Sequence, residues 1–119
     1  MFSYIYLASQ SPRRQELLKQ IGIPFEMLTA APGEDTESLE IPLANEKARD
    51  YVERVTFAKS SVALARWQKS GKPWAPILCA DTTVSLPDNP AGEILGKPKD
   101  AADAARILQM LSGKVHEVL

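Results

Sequence analysis

Short segments rich in β-forming residues alternate with helical segments along this sequence, and that alternation limits the possible folds more than any other feature. Residues 3–8 (SYIYLA) predict a strand. A helix should follow between Ser11, a good N-cap, and Gly22, which suits the residue after a helix end. A second strand is predicted at 24–30 and a long helix at 43–69. This order predicts an α/β fold with a mixed sheet and flanking helices.

The second half of the sequence continues the alternation. Its predicted elements are a buried strand at 77–81, an extended segment at 82–86, a turn at 87–92, a returning strand at 93–98, a helix at 100–113 capped by Asp100, and a final strand beginning at 114. That last strand has nothing after it to pair with, so the domain is expected to be unfinished. A sheet edge left open in this way would expose unpaired backbone.

Composition places the chain among ordinary globular proteins. It has 119 residues, 45% of them hydrophobic and 24% charged, with a formal net charge of −1. No basic excess favours nucleic-acid binding, and no apolar run approaches the roughly 18 residues of a membrane span. The single cysteine, Cys79, excludes an internal disulfide and is predicted to be a reduced core thiol. A cytoplasmic protein is the simplest interpretation.

Two arginines stand where a helix start disfavours them. Arg13 and Arg14 fall in the first turn of the first predicted helix, next to the positive end of its dipole. A helix N-terminus binds anions, and the hydroxyls of Ser9 and Ser11 would add donors there. A bound phosphate would make these charges favourable, since a guanidinium can hold two of its oxygens. The alternative is that both side chains turn to solvent or to carboxylates such as Glu16.

Further charged residues are candidates for chemistry. Asp81 ends the predicted buried strand, where it could take a proton from water or hold a divalent metal, or simply cap a turn. Its neighbour Thr82 could bind a ligand. Lys59 and Lys97 could neutralise phosphate charge or lie in solvent. In the loop at 31–42, Glu34 beside Asp35 is either a source of metal ligands or a solvated acidic surface. His116, the single histidine, lies in no arrangement typical of Ser/His catalysis.

Four segments together resemble the Maf family of nucleoside triphosphate pyrophosphatases. They occur in the family's order and cover nearly the whole chain: LASQSPRRQELL (7–18), YVERVTFAKS (51–60), ADTTV (80–84) and GEILGKPKDAADAARILQMLSGKVHEV (92–118). The resemblance implies hydrolysis between the α and β phosphates of a nucleoside triphosphate, which yields the monophosphate and pyrophosphate. It also implies a divalent cation, magnesium or manganese, as cofactor.

The resemblance also implies roles for single residues. Asp81 matches the family's proton acceptor, and Glu34 matches its loop acid, so both are expected to hold the metal. The residues expected to bind substrate are Ser9, Arg13, Arg14, Lys59, Thr82 and Lys97. Lys47, in the sequence NEKA, is a rival for the role of Lys59, which is preferred because YVER fixes the register.

Sequence variants within the family suggest which nucleotide is used. Arg13 of SPRR and Thr82 of ADT resemble the branch that prefers dTTP and UTP, whereas a branch with SPWR and SDQ prefers 7-methyl-GTP. Family members are longer, so residues 1–119 are expected to be the N-terminal part of a single domain, truncated at its C-terminus. The chain could also form a homodimer. The alternative function is an inactive fragment that binds nucleotide or a partner.

Overall fold

The computed structural model of the chain describes residues 1–87 and 93–119. Its helices are α1 (Pro12–Gln20), α2 (Ala48–Ser70) and α3 (Ala101–Leu111), with a 3-10 turn at Ser38–Glu40, and its strands are β1 (Ile5–Leu7), β2 (Phe25–Met27), β3 (Ile77–Leu78), β4 (Val84–Leu86), β5 (Glu93–Leu95) and β6 (Glu117–Val118). This arrangement confirms the predicted α/β class. Most of the turn predicted at 87–92 lies outside the described residues.

The chain divides into two compact units. The first contains Met1–Ile41 and Val55–Ala80, and the second contains Pro42–Arg54 and Asp81–Leu119. Each unit has a three-stranded sheet, parallel in the order β2-β1-β3 in the first and antiparallel in the order β5-β4-β6 in the second. A single mixed sheet would contain both parallel and antiparallel strand pairs. In this chain the parallel pairs lie in the sheet of the first unit and the antiparallel pairs in the sheet of the second.

Strand β1 is the centre of the first unit. It pairs in parallel with β2 and β3, and its residues Tyr6 and Leu7 are fully buried. Tyr6 belongs to a core cluster with Leu28, Ala63 and Ala75. Because Ala63 lies on α2, the helix packs its small side chain against the parallel sheet. Parallel strands buried in this way need apolar residues, and β1 supplies them.

Helix α1 begins and ends where the sequence predicts. The Ser11 hydroxyl accepts a hydrogen bond from the Arg14 amide at 3.4 Å, and Pro12 takes the first helical position. After Gln20 the chain turns at Gly22, whose φ of +71° suits glycine. The connection from β1 through α1 to β2 is consequently short and locally specified.

Helix α2 begins five residues later than predicted. Asn45 has a φ of +61°, which a right-handed helix cannot accommodate. The side chain of Glu46 accepts a hydrogen bond from the Leu43 amide at 3.1 Å and is ion-paired with Arg54 at 2.7 Å. These contacts stabilise a turn before Ala48. The apolar periodicity begins at Leu43, but the residues between Leu43 and Ala48 are therefore not helical.

In the second unit β4 lies between β5 and β6, and its Ser85 and Leu86 are buried. The last strand was expected to have nothing after it to pair with, and it is nevertheless paired, because β6 lies beside the earlier strand β4. The backbone groups of Thr83 and Leu119 extend this ladder with two hydrogen bonds of 2.9 Å. Antiparallel pairing lets a later strand return beside an earlier one after an intervening helix.

Candidate functional site

A network of hydrogen bonds orders the start of α1. Arg14 Nη1 donates to the Ser9 hydroxyl oxygen at 3.1 Å, and the Ser11 amide donates to the same oxygen at 3.2 Å. Ser9 directly follows Ala8, whose amide donates to the Leu78 carbonyl at the end of the parallel ladder. The structure thus brings together Ser9, Ser11 and Arg14, as the sequence predicts.

Arg13 differs from Arg14 in being directed toward solvent. Its guanidinium lies 3.9 Å from the Glu16 carboxylate, and the two side chains are 74% and 64% exposed. An ion pair this long and this exposed adds almost nothing to stability, so solvent screening leaves Arg13 able to bind another anion. The first turn of α1 contains no acidic residue that would offset its positive end.

Glu34 is tied to helix α2 rather than exposed on an acidic loop. Arg66 donates to its two carboxylate oxygens, from Nη2 at 2.5 Å and from Nε at 3.1 Å, and also to the Leu28 carbonyl at 2.8 Å. The Ala31 amide adds a further hydrogen bond to Glu34 at 3.0 Å. The Arg66 guanidinium, helped by this amide, holds the pKa of Glu34 below its usual value.

A second ion pair joins the same segment to α2. Lys59 Nζ lies 2.7 Å from the Glu40 carboxylate, at the end of the 3-10 turn. Asp35 orders that turn, because its carboxylate accepts hydrogen bonds from the Glu37 and Ser38 amides at 3.1 and 3.0 Å. The Ser38 amide is the main reason why the pKa of Asp35 is lowered.

In the second unit Asp81 accepts a hydrogen bond from a buried threonine. The Thr83 hydroxyl donates to Asp81 Oδ2 at 2.8 Å, and Thr83 is only 3% exposed. Thr82 is exposed, and so is Lys97 in the segment between β5 and α3. Lys47, the rival of Lys59, is exposed just before α2, whereas Lys59 is partly buried on that helix.

The acidic residues at 1–87 and 93–119 bear on what kind of metal site is available. Within residues 1–87 and 93–119, no three Asp, Glu, His or Cys side chains gather as a group that could hold a metal ion. Magnesium often needs just one or two carboxylates, with water and substrate phosphates as its other ligands. Asp81 is a candidate for that chemistry, as a carboxylate whose Oδ2 is positioned by the Thr83 hydroxyl. Glu34 would have to leave Arg66 before it could bind a metal.

Two other side chains considered in the sequence have ordinary surroundings. Cys79 packs against the core cluster of the first unit, and burial raises the pKa of its thiol. His116 is exposed before β6. No helix in the described part of the chain combines the length and the apolar content needed to cross a bilayer.

Sequence reasoning missed three residues that the structure makes prominent, namely Glu40, Arg66 and Thr83. Lys59 and Arg66 lie seven residues apart, a spacing that places them on one face of a helix. Two cations on one helix face call for acidic partners, and this could have pointed to Glu34 and Glu40. The partner of each acid depends on tertiary structure, which the local pattern does not supply.

Residues 4–119 match the protein family described as Maf-like protein. The chain is 57% identical, over all 119 residues, to a dTTP/UTP pyrophosphatase of Burkholderia orbicola (strain AU 1054) and covers 55% of that protein. It is 52% identical over its whole length to a dTTP/UTP pyrophosphatase of Cupriavidus pinatubonensis (strain JMP 134 / LMG 1197), of which it covers 58%. The chain therefore spans a little over half the length of these curated relatives.

Replacing Ser9 with alanine tests the anion-binding role of the α1 start. The S9A variant loses the acceptor that positions Arg14, and we expect its affinity for inorganic tripolyphosphate to fall by about threefold to tenfold. Isothermal titration calorimetry measures this change. The matched control is Ser60→Ala, an exposed serine on α2. Equal affinities for S9A and the original chain would contradict the role.

Replacing Arg66 with methionine tests the anchor at Glu34. We expect the free energy of unfolding at pH 7 to fall by about 1–3 kcal/mol, because Glu34 and the Leu28 carbonyl both lose a charged donor. Urea unfolding followed by circular dichroism measures it. Arg49→Met, at an exposed position of α2, is the control.

The same variant carries a pH signature. The folded state lowers the pKa of Glu34 below 4.5, so the pair stabilises the chain fully above that pH and less as the pH falls through the folded value. The difference between the original chain and R66M should shrink in acid. A difference that stays constant from pH 7 to pH 3.5 would contradict the ion pair.

Proposed function

The chain belongs to the Maf-like protein family, and we propose that it acts as a nucleoside triphosphate pyrophosphatase on dTTP and UTP. Water would cleave the linkage between the α and β phosphates to give the monophosphate and pyrophosphate. Relatives that are 52–57% identical across this chain carry the name of that activity, although the chain spans only part of their length. The structural observation that most directly supports the proposal is the ordered cationic start of α1.

The first unit supplies groups suited to phosphate. The amides at the start of α1 and the positive end of its dipole favour an anion, and Arg14 is already held by Ser9. Arg13 can offer a second planar guanidinium. Ser9 has both acceptor positions engaged by protein donors, so its hydroxyl proton can be donated to a phosphate oxygen. Lys59 would add a point charge. Lys97 remains a predicted substrate ligand.

Asp81 is proposed to activate the attacking water. A carboxylate ionised at neutral pH can take a proton from water while the water oxygen forms a bond to phosphorus and the bond to the leaving pyrophosphate breaks. The hydrogen bond from Thr83 fixes one oxygen of Asp81 and so limits rotation of the group. Cationic groups on the phosphates would stabilise the charge that develops during attack.

A divalent cation, magnesium or manganese, is part of the proposal. Asp81 would be its protein ligand, with substrate phosphates and water as the remaining ligands. When bound, the cation would neutralise phosphate charge and polarise the linkage. Glu34 remains a predicted ligand, conditional on its release from Arg66. A homodimer and a cytoplasmic location also remain predictions.

Hydrolysis of dTTP and UTP by the purified protein tests the proposal. We expect pyrophosphate release with magnesium or manganese and much slower release from 7-methyl-GTP, measured with a coupled pyrophosphate assay. Substituting Asp81→Asn should lower the rate by about a hundredfold to ten-thousandfold, as loss of a general base does. Asp50→Asn, an exposed position on α2, should leave the rate unchanged.

The outcomes separate the activity from its mechanism. No pyrophosphate release from dTTP or UTP by folded protein would contradict the activity, and nucleotide binding without release would favour an inactive nucleotide-binding protein. Full activity in D81N would leave the activity standing and contradict Asp81 as the base.

A further inference from the structure

We infer that Glu40 competes with polyphosphate for Lys59 and thereby lowers the affinity of the protein for anionic ligands. The inference rests on the proposed phosphate-binding role of Lys59. It makes Glu40 a positioning residue, because its contact with Lys59 is the route by which Glu40 would act on the ligand. Neither the family match nor the names of the relatives assign a role to this glutamate.

The contact itself is close and partly shielded from water. Lys59 Nζ and the Glu40 carboxylate oxygen are 2.7 Å apart, and the two side chains are 22% and 30% exposed. Reduced solvent access strengthens such a pair relative to a fully exposed one. Any phosphate that approaches this ammonium group must share it with a carboxylate already in contact.

The segment that carries Glu40 has a second attachment to α2, at Glu34. Arg66 binds Glu34 with two hydrogen bonds and anchors itself on the Leu28 carbonyl. Seven residues separate Lys59 from Arg66 on α2, about two helical turns, so the two cations lie on one face. Glu34 and Glu40 therefore meet that face at two points, the first through a hydrogen-bonded guanidinium and the second through an ammonium group.

The two contacts differ in how readily a ligand can replace them. A guanidinium with both acceptor oxygens of its partner engaged holds a fixed geometry, whereas a lysine ammonium is a compact charge on a flexible stem. A polyphosphate carries several negative charges and can exceed one carboxylate in its attraction for the ammonium. A nucleoside monophosphate carries fewer charges, so Glu40 would regain Lys59 more easily after cleavage.

Binding of inorganic tripolyphosphate tests the competition. We expect Glu40→Gln to lower the dissociation constant by about threefold to tenfold, because glutamine keeps the shape of the side chain but not its charge. Titration calorimetry gives the constant, and a thermal melt monitored by circular dichroism confirms that each variant is folded. The matched control is Glu37→Gln, which removes the same charge from an exposed position of the same segment.

A double-mutant cycle shows whether the effect passes through Lys59. In the Lys59→Met background, Glu40→Gln should leave the dissociation constant unchanged, since no ammonium remains to compete for. A persistent gain in that background, or an equal gain in E37Q, would mean that only the general charge of the segment matters and would overturn the inference.

The same data distinguish failure of the inference from failure of the proposed function. Binding by the original chain with no gain in E40Q overturns the competition and leaves the phosphate site intact. An absence of binding in every folded variant overturns the phosphate site and the inference with it.

Discussion

The central position of β1 is the constraint on which the first unit depends. Hydrogen bonding on both sides and full burial of Tyr6 and Leu7 leave this strand no freedom to shift. Ser9 lies shortly after the end of β1, so the buried apolar strand fixes the position of the polar start of α1. Functional groups at the carboxyl ends of parallel strands gain their precision in this way, because the sheet holds them without adding polar atoms to the core.

In the first unit, ion pairs stabilise the fold at residues that are also candidates for chemistry. The segment from Glu34 to Glu40 is acidic, and it is held to α2 by a guanidinium at one end and an ammonium at the other. An ion pair of limited exposure costs desolvation of both partners, and its remaining hydrogen bonds decide whether it stabilises the fold. Arg66 satisfies this condition through the Leu28 carbonyl.

Local signals in the sequence predicted most of the helices and the polar start of α1. The caps at Ser11 and Asp100 are confirmed, because a side chain that bonds an amide three residues ahead is a local event. The start of α2 was misplaced because the left-handed conformation of Asn45 outweighs apolar periodicity. The pairing of β6 with β4 was missed because strand pairing over a long stretch of chain leaves no mark in either segment alone.

The candidate site shows the same division between local and long-range information. The residues near Ser9 and Arg14 could be grouped from sequence, since they are neighbours along the chain. The attachment of Glu34 to Arg66 and of Glu40 to Lys59 could not, because a loop acid has many cations within reach until the tertiary structure selects one.

The two backbone hydrogen bonds between Thr83 and Leu119 affect the order in which parts of the chain fold during synthesis on the ribosome. The Thr83 hydroxyl donates a hydrogen bond to Asp81, while the N–H and C=O groups of Thr83 are both hydrogen-bonded to Leu119. Every residue of the first unit precedes Asp81 in the chain, so the start of α1 can be in place while residues near 119 are still being added. The groups at the start of α1 that are proposed to bind phosphate are thus synthesised before the carboxylate proposed to drive hydrolysis.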